Sequence, residues 1–305
     1  MILLLSVFVT NKRINGQTNR YCRYEIFKYC LYSYRNINFS DIYLFILLDD
    51  EFINNKESLT NFIYNNFSNI DKSKINIVFD RYYKQCQWIP VINYLTEKHG
   101  DNELVFFTQN DDHIFVDFNM DILNEGIELL KNEKNEHKSI GYSHWPEALK
   151  FSGKNGKYTR INNYIKFDAT ILDSIQIFNL KYLFDIFVKH EWKKDYNRID
   201  DIINEFTETH FHEVQENTLL QTMYIPLREL VRHFDGYDHV YMDRDACGPL
   251  ILPSNKFVYS KESLIKKMTA NHRSFLTKDN NFQIPKEWID INLSLHPENL
   301  IEYTL

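Results

Sequence analysis

The 305-residue sequence has little glycine and no glycine-rich phosphate loop. It contains only eight glycines, and Gly16 is the only one before Gly100. Neither G-x-G-x-x-G nor G-x-x-x-x-G-K-[ST] is present, which argues against a dinucleotide oxidoreductase and against a P-loop enzyme. A nucleotidyltransferase would also usually carry a glycine-rich loop near the N-terminus.

The sequence also lacks a cysteine framework, a surplus of basic residues and a long apolar run. Its four cysteines are scattered without a CxxC pair, which favours reduced thiols in the cytoplasm over a disulfide scaffold or a zinc site. Lys and Arg total 35 against 42 Asp and Glu, so we expect no nucleic-acid partner. No segment approaches the roughly 18–20 apolar residues of a membrane span, and we therefore predict a soluble protein.

The apolar start of the chain is better explained as a strand than as a signal peptide. Residues 2–9 are apolar apart from Ser6, but no basic segment precedes them and no small-x-small cleavage site follows. An apolar run of this length with polar residues after it is typical of a buried parallel strand.

Apolar patterning in the first 117 residues predicts strands that alternate with helices. The predicted strands are 2–10, 41–48, 75–79 and 104–108, and the predicted helices are 24–34, 58–67 and 87–97. Strands that are apolar on both faces and separated by helices are typical of parallel βαβ crossovers.

Residues 118–305 show a more mixed pattern. Helices are predicted at 120–132, 180–188, 198–208 and 213–224, and strands at 140–145, 164–170 and 176–178. The sequence from Asp243 is less regular. No linker separates two domains, so we expect one continuous domain with halves 1–117 and 118–305.

Polar residues follow each of the first four predicted strands. The segments are Thr10-Asn11, Asp49-Asp50, Asp80-Arg81 and Asp111-Asp112-His113. Because ligands of parallel α/β sheets bind beyond the carboxyl ends of the strands, these residues are expected at one functional edge.

The segment Asn110-Asp111-Asp112-His113 is the best candidate for a metal site. In an extended segment Asn110 and Asp112 share one face, and Asp111 and His113 share the other. Carboxylate and imidazole ligands suit Mn²⁺ or Mg²⁺ with positions left open for phosphate oxygens. An acidic turn by itself is also typical of a solvated loop or a helix cap. Its position after the fourth strand favours the metal site.

The order and spacing of these segments resemble the nucleotide-binding half of GT-A glycosyltransferases, and specifically the inverting family 2 group. The match runs from Ile2 to about Asp117 and includes the segment from Tyr83 to Trp88 after the third strand. The sequence lacks the family's usual Gly and Asn residues in that segment, and His113 stands where a second Asp often stands. The resemblance implies a GT-A-type (Rossmann-like), mostly parallel sheet flanked by helices.

The resemblance also implies an activity and a set of site residues. The activity is transfer of a sugar from a nucleotide-diphosphate sugar to a hydroxyl of a glycan or glycolipid acceptor, with Mn²⁺ or Mg²⁺ and with inversion. Such an enzyme would serve polysaccharide biosynthesis in the cytoplasm, with peripheral membrane association through its acceptor. The implied nucleotide-binding residues are Thr10, Asn11, Asp49, Asp50, Arg81, Gln85, Trp88 and Asp111. The implied metal ligands are Asp111, Asp112, His113 and His233.

The second half of the sequence supplies candidates for the catalytic base. An inverting transfer needs a carboxylate that deprotonates the acceptor hydroxyl. The resemblance implies this base near residues 212–220, where Glu216 is slightly ahead of Glu213, and Asp200-Asp201 is a further candidate. Acidic residues near a helix N-terminus are also favoured by the helix dipole alone.

Other candidate ligands lie near residues 228–239 and 142–145. His233 or His239 could complete the metal site, and Arg228 and Arg232 could bind a diphosphate bidentately. The rings of Tyr142 and Trp145 are candidate platforms for a sugar.

Two other functions fit the same residues. One is a metal-dependent nucleotidyltransferase, which also needs paired carboxylates. The other is a non-catalytic carbohydrate-binding protein with the same fold.

Overall fold

The computed structural model describes residues 1–10, 23–81, 88–108, 113–115, 119–142, 159–169, 175–185, 188, 221–226, 230–233, 250–251, 256–258 and 300–302. The helices are α1 (Arg23–Ser33), α2 (Lys56–Asn66), α3 (Trp88–His99), α4 (Met120–Asn132) and α5 (Leu180–Phe184), with 3-10 turns at Asp50–Asn55 and Lys72–Lys74. The strands are β1 (Ile2–Val9), β2 (Asp41–Leu48), β3 (Ile75–Arg81), β4 (Leu104–Thr108), β5 (His113–Phe115), β6 (Lys138–Gly141), β7 (Thr159–Ile161), β8 (Tyr164–Ala169), β9 (Gln176–Asn179), β10 (Gln221–Pro226), β11 (Val231–His233), β12 (Leu250–Ile251), β13 (Lys256–Val258) and β14 (Leu300–Glu302).

Among the described residues, nine strands form one central sheet in the order β3-β2-β1-β4-β9-β6-β10-β8-β7. Strands β3, β2, β1 and β4 pair in parallel, as predicted. Beyond β4 the pairing is mixed, because β9 and β8 run antiparallel to their neighbours. The predicted α/β architecture is confirmed, and the sheet takes strands from both halves of the chain.

The central strand β1 is buried on both faces, which explains its uninterrupted apolar sequence. Leu3 and Leu5 pack in a core that includes residues of α1, α2 and α4, whereas Ile2 and Leu4 pack in a core that includes residues of α3 and α5. Successive side chains of a strand point to opposite faces, so each core receives every second residue. Helices therefore cover both faces of the sheet.

Helix α4 lies close against the sheet because Gly126 has no side chain. A Cβ at this position would lie 2.8 Å from Ile140 Cδ1 and from Tyr164 Cζ. The Tyr164 hydroxyl donates a 2.6 Å hydrogen bond to the carbonyl of Ile122. At the start of the helix, Asn119 accepts hydrogen bonds from the backbone amides of Asp121 and Ile122.

The helix predicted at 213–224 is wrong at its C-terminal end. Residues 221–226 form strand β10, which pairs with β6 on one side and with β8 on the other. All six residues are buried, so the strand shows no alternation that would distinguish it from a buried helix. Pro226 ends the strand.

Most other predicted elements agree with the described ones to within a few residues. The strand predicted at 140–145 begins earlier, at Lys138, and ends at Gly141. The helix predicted at 198–208 lies outside the described residues. Strands β5, β7 and β11, of three residues each, were not predicted, because such short segments show no period. No helix in the described part of the chain is long and apolar enough to cross a bilayer.

Candidate functional site

The strand order reverses between β1 and β4, and the carboxyl ends of these two strands are neighbours in the sheet. From β1 the chain continues to β2 and then to β3 on one side, and it then returns to place β4 on the other side of β1. Such a reversal is a topological switch point, and open α/β sheets bind ligands outside the strand ends at this position. Strand β4 pairs with β1 as far as the Leu5–Thr108 pair, and β1 continues to Val9.

The first three strands end together at this edge. Val9 is in register with Leu48, and Leu48 is in register with Arg81. Thr10 and Asp49 directly follow two members of this row. The predicted meeting of these strand ends at one edge is therefore observed, while the binding roles of the residues stay predictions.

Asp49 links the end of β1 to the end of β2. Its Oδ2 accepts a 2.9 Å hydrogen bond from the Thr10 hydroxyl, and its Oδ1 accepts a 2.7 Å bond from the Asp50 amide. Its own amide donates to the carbonyl of Val9. With both oxygens engaged in hydrogen bonds, Asp49 caps the 3-10 turn that begins at Asp50. Asp50 is exposed at the same edge.

Strand β5 begins directly after the acidic segment 110–112. It pairs antiparallel with β11, so that His113 is opposite His233 and Phe115 is opposite Val231. The two histidines of the predicted metal set, far apart in sequence, are thus register partners. Directly opposed residues of an antiparallel pair have Cα atoms about 4.5–5.5 Å apart.

The His113 side chain is only 2% exposed, and Phe115 is buried beside it. Residues i and i+2 of a strand share a face, so His113 lies on the face of β5 that Phe115 directs into the core. The sequence predicted a metal ligand at this position and gave no sign that the residue is buried.

The last turn of α1, together with Tyr34 directly after it, holds β5 from its other side. The Tyr34 hydroxyl donates a 2.6 Å hydrogen bond to the carbonyl of His113, and Cys30 Sγ lies 3.4 Å from the same oxygen. The Phe115 amide donates to Ser33 Oγ at 3.2 Å. The helical spacing that predicted a helix at 24–34 gives no sign of these contacts, although a buried tyrosine hydroxyl usually has a hydrogen-bond partner.

Tyr142 is not an exposed platform for a sugar, so this prediction is corrected. Its side chain is fully buried, and its ring contacts Phe106 and Phe115 at centroid distances of 6.4 Å and 5.8 Å. Burial raises the pKa of its hydroxyl well above the usual range. A tyrosine next to a buried strand is readily covered by neighbouring rings, which its sequence position does not reveal.

The remaining predicted site residues are described in part or not at all. Arg81 ends β3, Trp88 begins α3 and His233 ends β11, and only their backbones are described. The residues that lie outside the described part of the chain are Asn11, Gln85, Asn110, Asp111, Asp112, Trp145, Asp200, Asp201, Glu213, Glu216, Arg228 and His239. Within the described residues, no group of three or more His, Cys, Asp or Glu could hold a metal ion.

No protein-family model matches the sequence, and no curated protein matches it. Similar solved structures include a UDP-glucose pyrophosphorylase complexed with UDP-glucose. It is 11% identical to this chain with a TM-score of 0.38, and the match covers 74% of this chain and 92% of that chain. Another is 4-diphosphocytidyl-2C-methyl-D-erythritol synthase from Anaerococcus prevotii DSM 20548, 11% identical with a TM-score of 0.34, covering 73% of this chain and 86% of that one. At these values the similarity assigns neither a family nor an activity to the chain.

Proposed function

We propose that the chain is a metal-dependent transferase that takes a nucleotide-diphosphate sugar as donor and moves its sugar to an acceptor hydroxyl. One observation carries the proposal. The strand order reverses between β1 and β4, and the acidic segment of the sequence follows β4 at this reversal. Thr10, Asp49 and the end of β3 border the same edge, where a nucleotide would bind.

The proposed metal ligands are Asp111 and Asp112, with Asp112 as the principal one. Carboxylate oxygens suit Mn²⁺ and Mg²⁺, which, when bound, neutralise charge on a departing diphosphate. His113 is buried and shares the core-directed face of β5 with Phe115. We therefore rank His113 below both aspartates. His233, opposite His113 in the ladder, stays a candidate.

The proposed nucleotide contacts come from the neighbouring strand ends. Asp50 is exposed beside Asp49 and could accept hydrogen bonds from a base or ribose, while Asp49 itself supports the turn. Asn11, Arg81, Gln85 and Trp88 complete the proposed set. Arg232 lies in β11 beside Ile114 of β5, so its backbone adjoins the strand that follows the acidic segment.

The proposed reaction is an inverting displacement. The acceptor hydroxyl attacks the anomeric carbon, its proton passes to the carboxylate of Glu216 or Glu213, and the bond between the anomeric carbon and the diphosphate oxygen breaks. The electron pair of that bond leaves with the nucleoside diphosphate. We propose a glycan or glycolipid as acceptor, Trp145 as a sugar contact, and membrane association only through the acceptor.

A nucleotidyltransferase is the second candidate function. It would break a phosphorus–oxygen bond instead, converting a nucleotide sugar and pyrophosphate into a nucleoside triphosphate and a sugar 1-phosphate. The two similar solved structures named above are nucleotidyltransferases, which fits this candidate, but their TM-scores do not choose between the reactions. The absence of a glycine-rich loop after β1 favours glycosyl transfer.

Products distinguish the candidates. The purified chain is incubated with UDP- and GDP-sugars and Mn²⁺, with and without pyrophosphate, and nucleotides are separated by chromatography. Glycosyl transfer, or slow hydrolysis without an acceptor, yields UDP or GDP, whereas nucleotidyl transfer yields UTP or GTP only with pyrophosphate. Loss of product in Asp112→Ala supports the metal site. If no nucleotide sugar gave a product or a thermal shift in the presence of Mn²⁺, the proposal would be wrong.

A further inference from the structure

The end of α1 binds both ends of the three-residue strand β5. At the first residue, the Tyr34 hydroxyl donates to the carbonyl of His113 at 2.6 Å. At the last residue, the Phe115 amide donates to Ser33 Oγ at 3.2 Å. Ser33 Oγ in turn donates to the carbonyl of Cys30 at 2.7 Å, which orients its lone pair toward the strand. These contacts join segments about eighty residues apart in the sequence.

Two aromatic neighbours hold the Tyr34 ring in place. The side chain is fully buried, and the ring meets Phe106 of β4 edge-on at 5.2 Å and Phe115 of β5 at 5.8 Å. Close packing on two sides restricts the motion of the ring, so its hydroxyl can hold the His113 carbonyl in place.

The opposite edge of β5 is bound as well. Its backbone pairs with β11 over all three residues, from Phe115 with Val231 to His113 with His233. Strand β5 is thus held on one edge by Ser33 of α1 and by Tyr34, which directly follows α1, and on the other edge by a ladder. Since Asp112 is covalently joined to His113, the first residue of β5 is the nearest anchored point to the proposed metal ligands.

We propose that Tyr34 is a positioning residue for the metal site, acting through the carbonyl of His113. The inference rests on the proposed function and identifies what holds the site in place. Metal ligands must be held to within about 0.5 Å for tight binding. Removing a group that orients a ligand typically weakens metal affinity by about 10–100-fold. Tyr34 contacts the backbone next to Asp112 and not a ligand itself, so we expect an effect at the lower end of this range.

The experiment compares Tyr34→Phe with Tyr164→Phe. Both tyrosines are fully buried, and both donate a 2.6 Å hydrogen bond to a backbone carbonyl, but Tyr164 donates to Ile122 of α4. Each variant removes one oxygen and leaves a buried carbonyl with one donor fewer. Affinity for Mn²⁺, alone and with UDP, is measured by titration calorimetry and by electron paramagnetic resonance, and the melting temperature is measured in parallel without metal.

The expected result is a similar fall in melting temperature for both variants, with about tenfold weaker Mn²⁺ binding only in Tyr34→Phe. Equal Mn²⁺ affinity in the two variants and the wild type would overturn the inference and leave the proposed function intact. If the wild type bound no Mn²⁺ with or without UDP, the proposed function would fail and the inference with it.

A second variant keeps the test valid if Tyr34→Phe does not fold. Ser33→Ala removes the contact at the other end of β5 and leaves the tyrosine hydroxyl in place. Because Phe115 is farther from Asp112 than His113 is, we expect a smaller loss of Mn²⁺ affinity, of about threefold. Unchanged affinity in a folded Ser33→Ala chain that has lost stability would count against the positioning role.

Discussion

The hydroxyl of Thr10 donates a 2.9 Å hydrogen bond to Oδ2 of Asp49 and thereby ties the end of β1 to the end of β2. The other oxygen of Asp49 accepts from the Asp50 amide, so the carboxylate stabilises both the strand ends and the turn that follows. An aspartate that the sequence suggested as a nucleotide contact therefore also shapes the edge on which a nucleotide would bind.

Thr10→Val tests this arrangement, because valine keeps the shape and loses the donor. We expect a fall of about 1–2 kcal/mol in the free energy of unfolding, since a hydrogen bond to a charged group is lost. We also expect binding of the UDP moiety to weaken by about five- to tenfold, the factor that roughly 1 to 1.4 kcal/mol represents. Urea unfolding and titration with UDP measure the two effects.

Thr60→Val is the matched control for Thr10→Val. The Thr60 hydroxyl donates a 2.8 Å bond to the carbonyl of Lys56 within α2, away from the strand ends. We expect a stability loss of about 1 kcal/mol and unchanged UDP binding. If the two variants bound UDP equally well, the contact at the strand ends would have no part in nucleotide binding.

Asp112→Asn and His113→Gln test which residue of the acidic segment binds metal. We expect Mn²⁺ affinity to fall by more than about tenfold in Asp112→Asn with little loss of stability. His113 is 2% exposed and lies on the same face of β5 as Phe115. We therefore expect His113→Gln to lower the melting temperature and to leave the Mn²⁺ affinity nearly unchanged. Calorimetric titration and thermal unfolding measure both quantities. The reverse pattern would make His113 the ligand.

Glu133, directly after α4, is expected to contribute to the free energy of unfolding in a way that depends on acidity. Burial alone raises the pKa of Glu133, but hydrogen bonds from Lys166 and Tyr224, both 2.6 Å to Oε2, lower it from 4.5 to about 2. The folded state therefore binds fewer protons than the unfolded state between these two values. The contribution is complete above pH 4.5 and is lost as the pH falls toward 2. Urea unfolding between pH 7 and pH 3 measures it.

Glu133→Gln should lower the free energy of unfolding at pH 7 by about 1–3 kcal/mol and flatten its decrease below pH 4.5. Glu128→Gln is the control, because Glu128 forms an ion pair with Lys131 on an exposed face of the same helix. We expect that change to cost less than about 0.5 kcal/mol. Equal pH profiles for the wild type and Glu133→Gln would disprove the assignment.

Gly126→Ala tests the close approach of α4 to the sheet. Alanine favours helices over glycine by about 1 kcal/mol, but its Cβ would overlap Ile140 and Tyr164. We expect a net loss of about 1–3 kcal/mol in unfolding free energy. Asn124→Ala, at an exposed position of the same helix, should leave stability unchanged or slightly higher. A Gly126→Ala chain as stable as Asn124→Ala would show that the helix can move away from the sheet at little cost.

Local patterns predicted the strands and helices of the first half well, and the physical reason is visible in the cores. Strand β1 is apolar throughout because Ile2 and Leu4 enter one core while Leu3 and Leu5 enter the other. The same reasoning failed at Gln221–Pro226, where every residue is buried and neither the strand period nor the helix period can be recognised.

For the candidate site, the sequence could predict only which residues lie at the ends of the parallel strands. Thr10, Asp49 and Arg81 were expected at one edge because parallel strands end together, and the register confirms that their strands do. Tyr142 was assigned to a sugar and is instead buried among aromatic rings, since a sequence shows the type of a side chain and not which neighbours cover it.

The sequence by itself determined the alternating elements, the buried character of the parallel strands and the acidic segment after the fourth strand, because these depend on local apolar periods and on residue type. Only the tertiary structure decided which distant residues meet. The reversal of strand order between β1 and β4, the pairing of His113 with His233 and the bond from Tyr34 to His113 each join segments far apart in the chain. Such contacts depend on how the helices and sheet pack together, for which a single sequence carries no local signal.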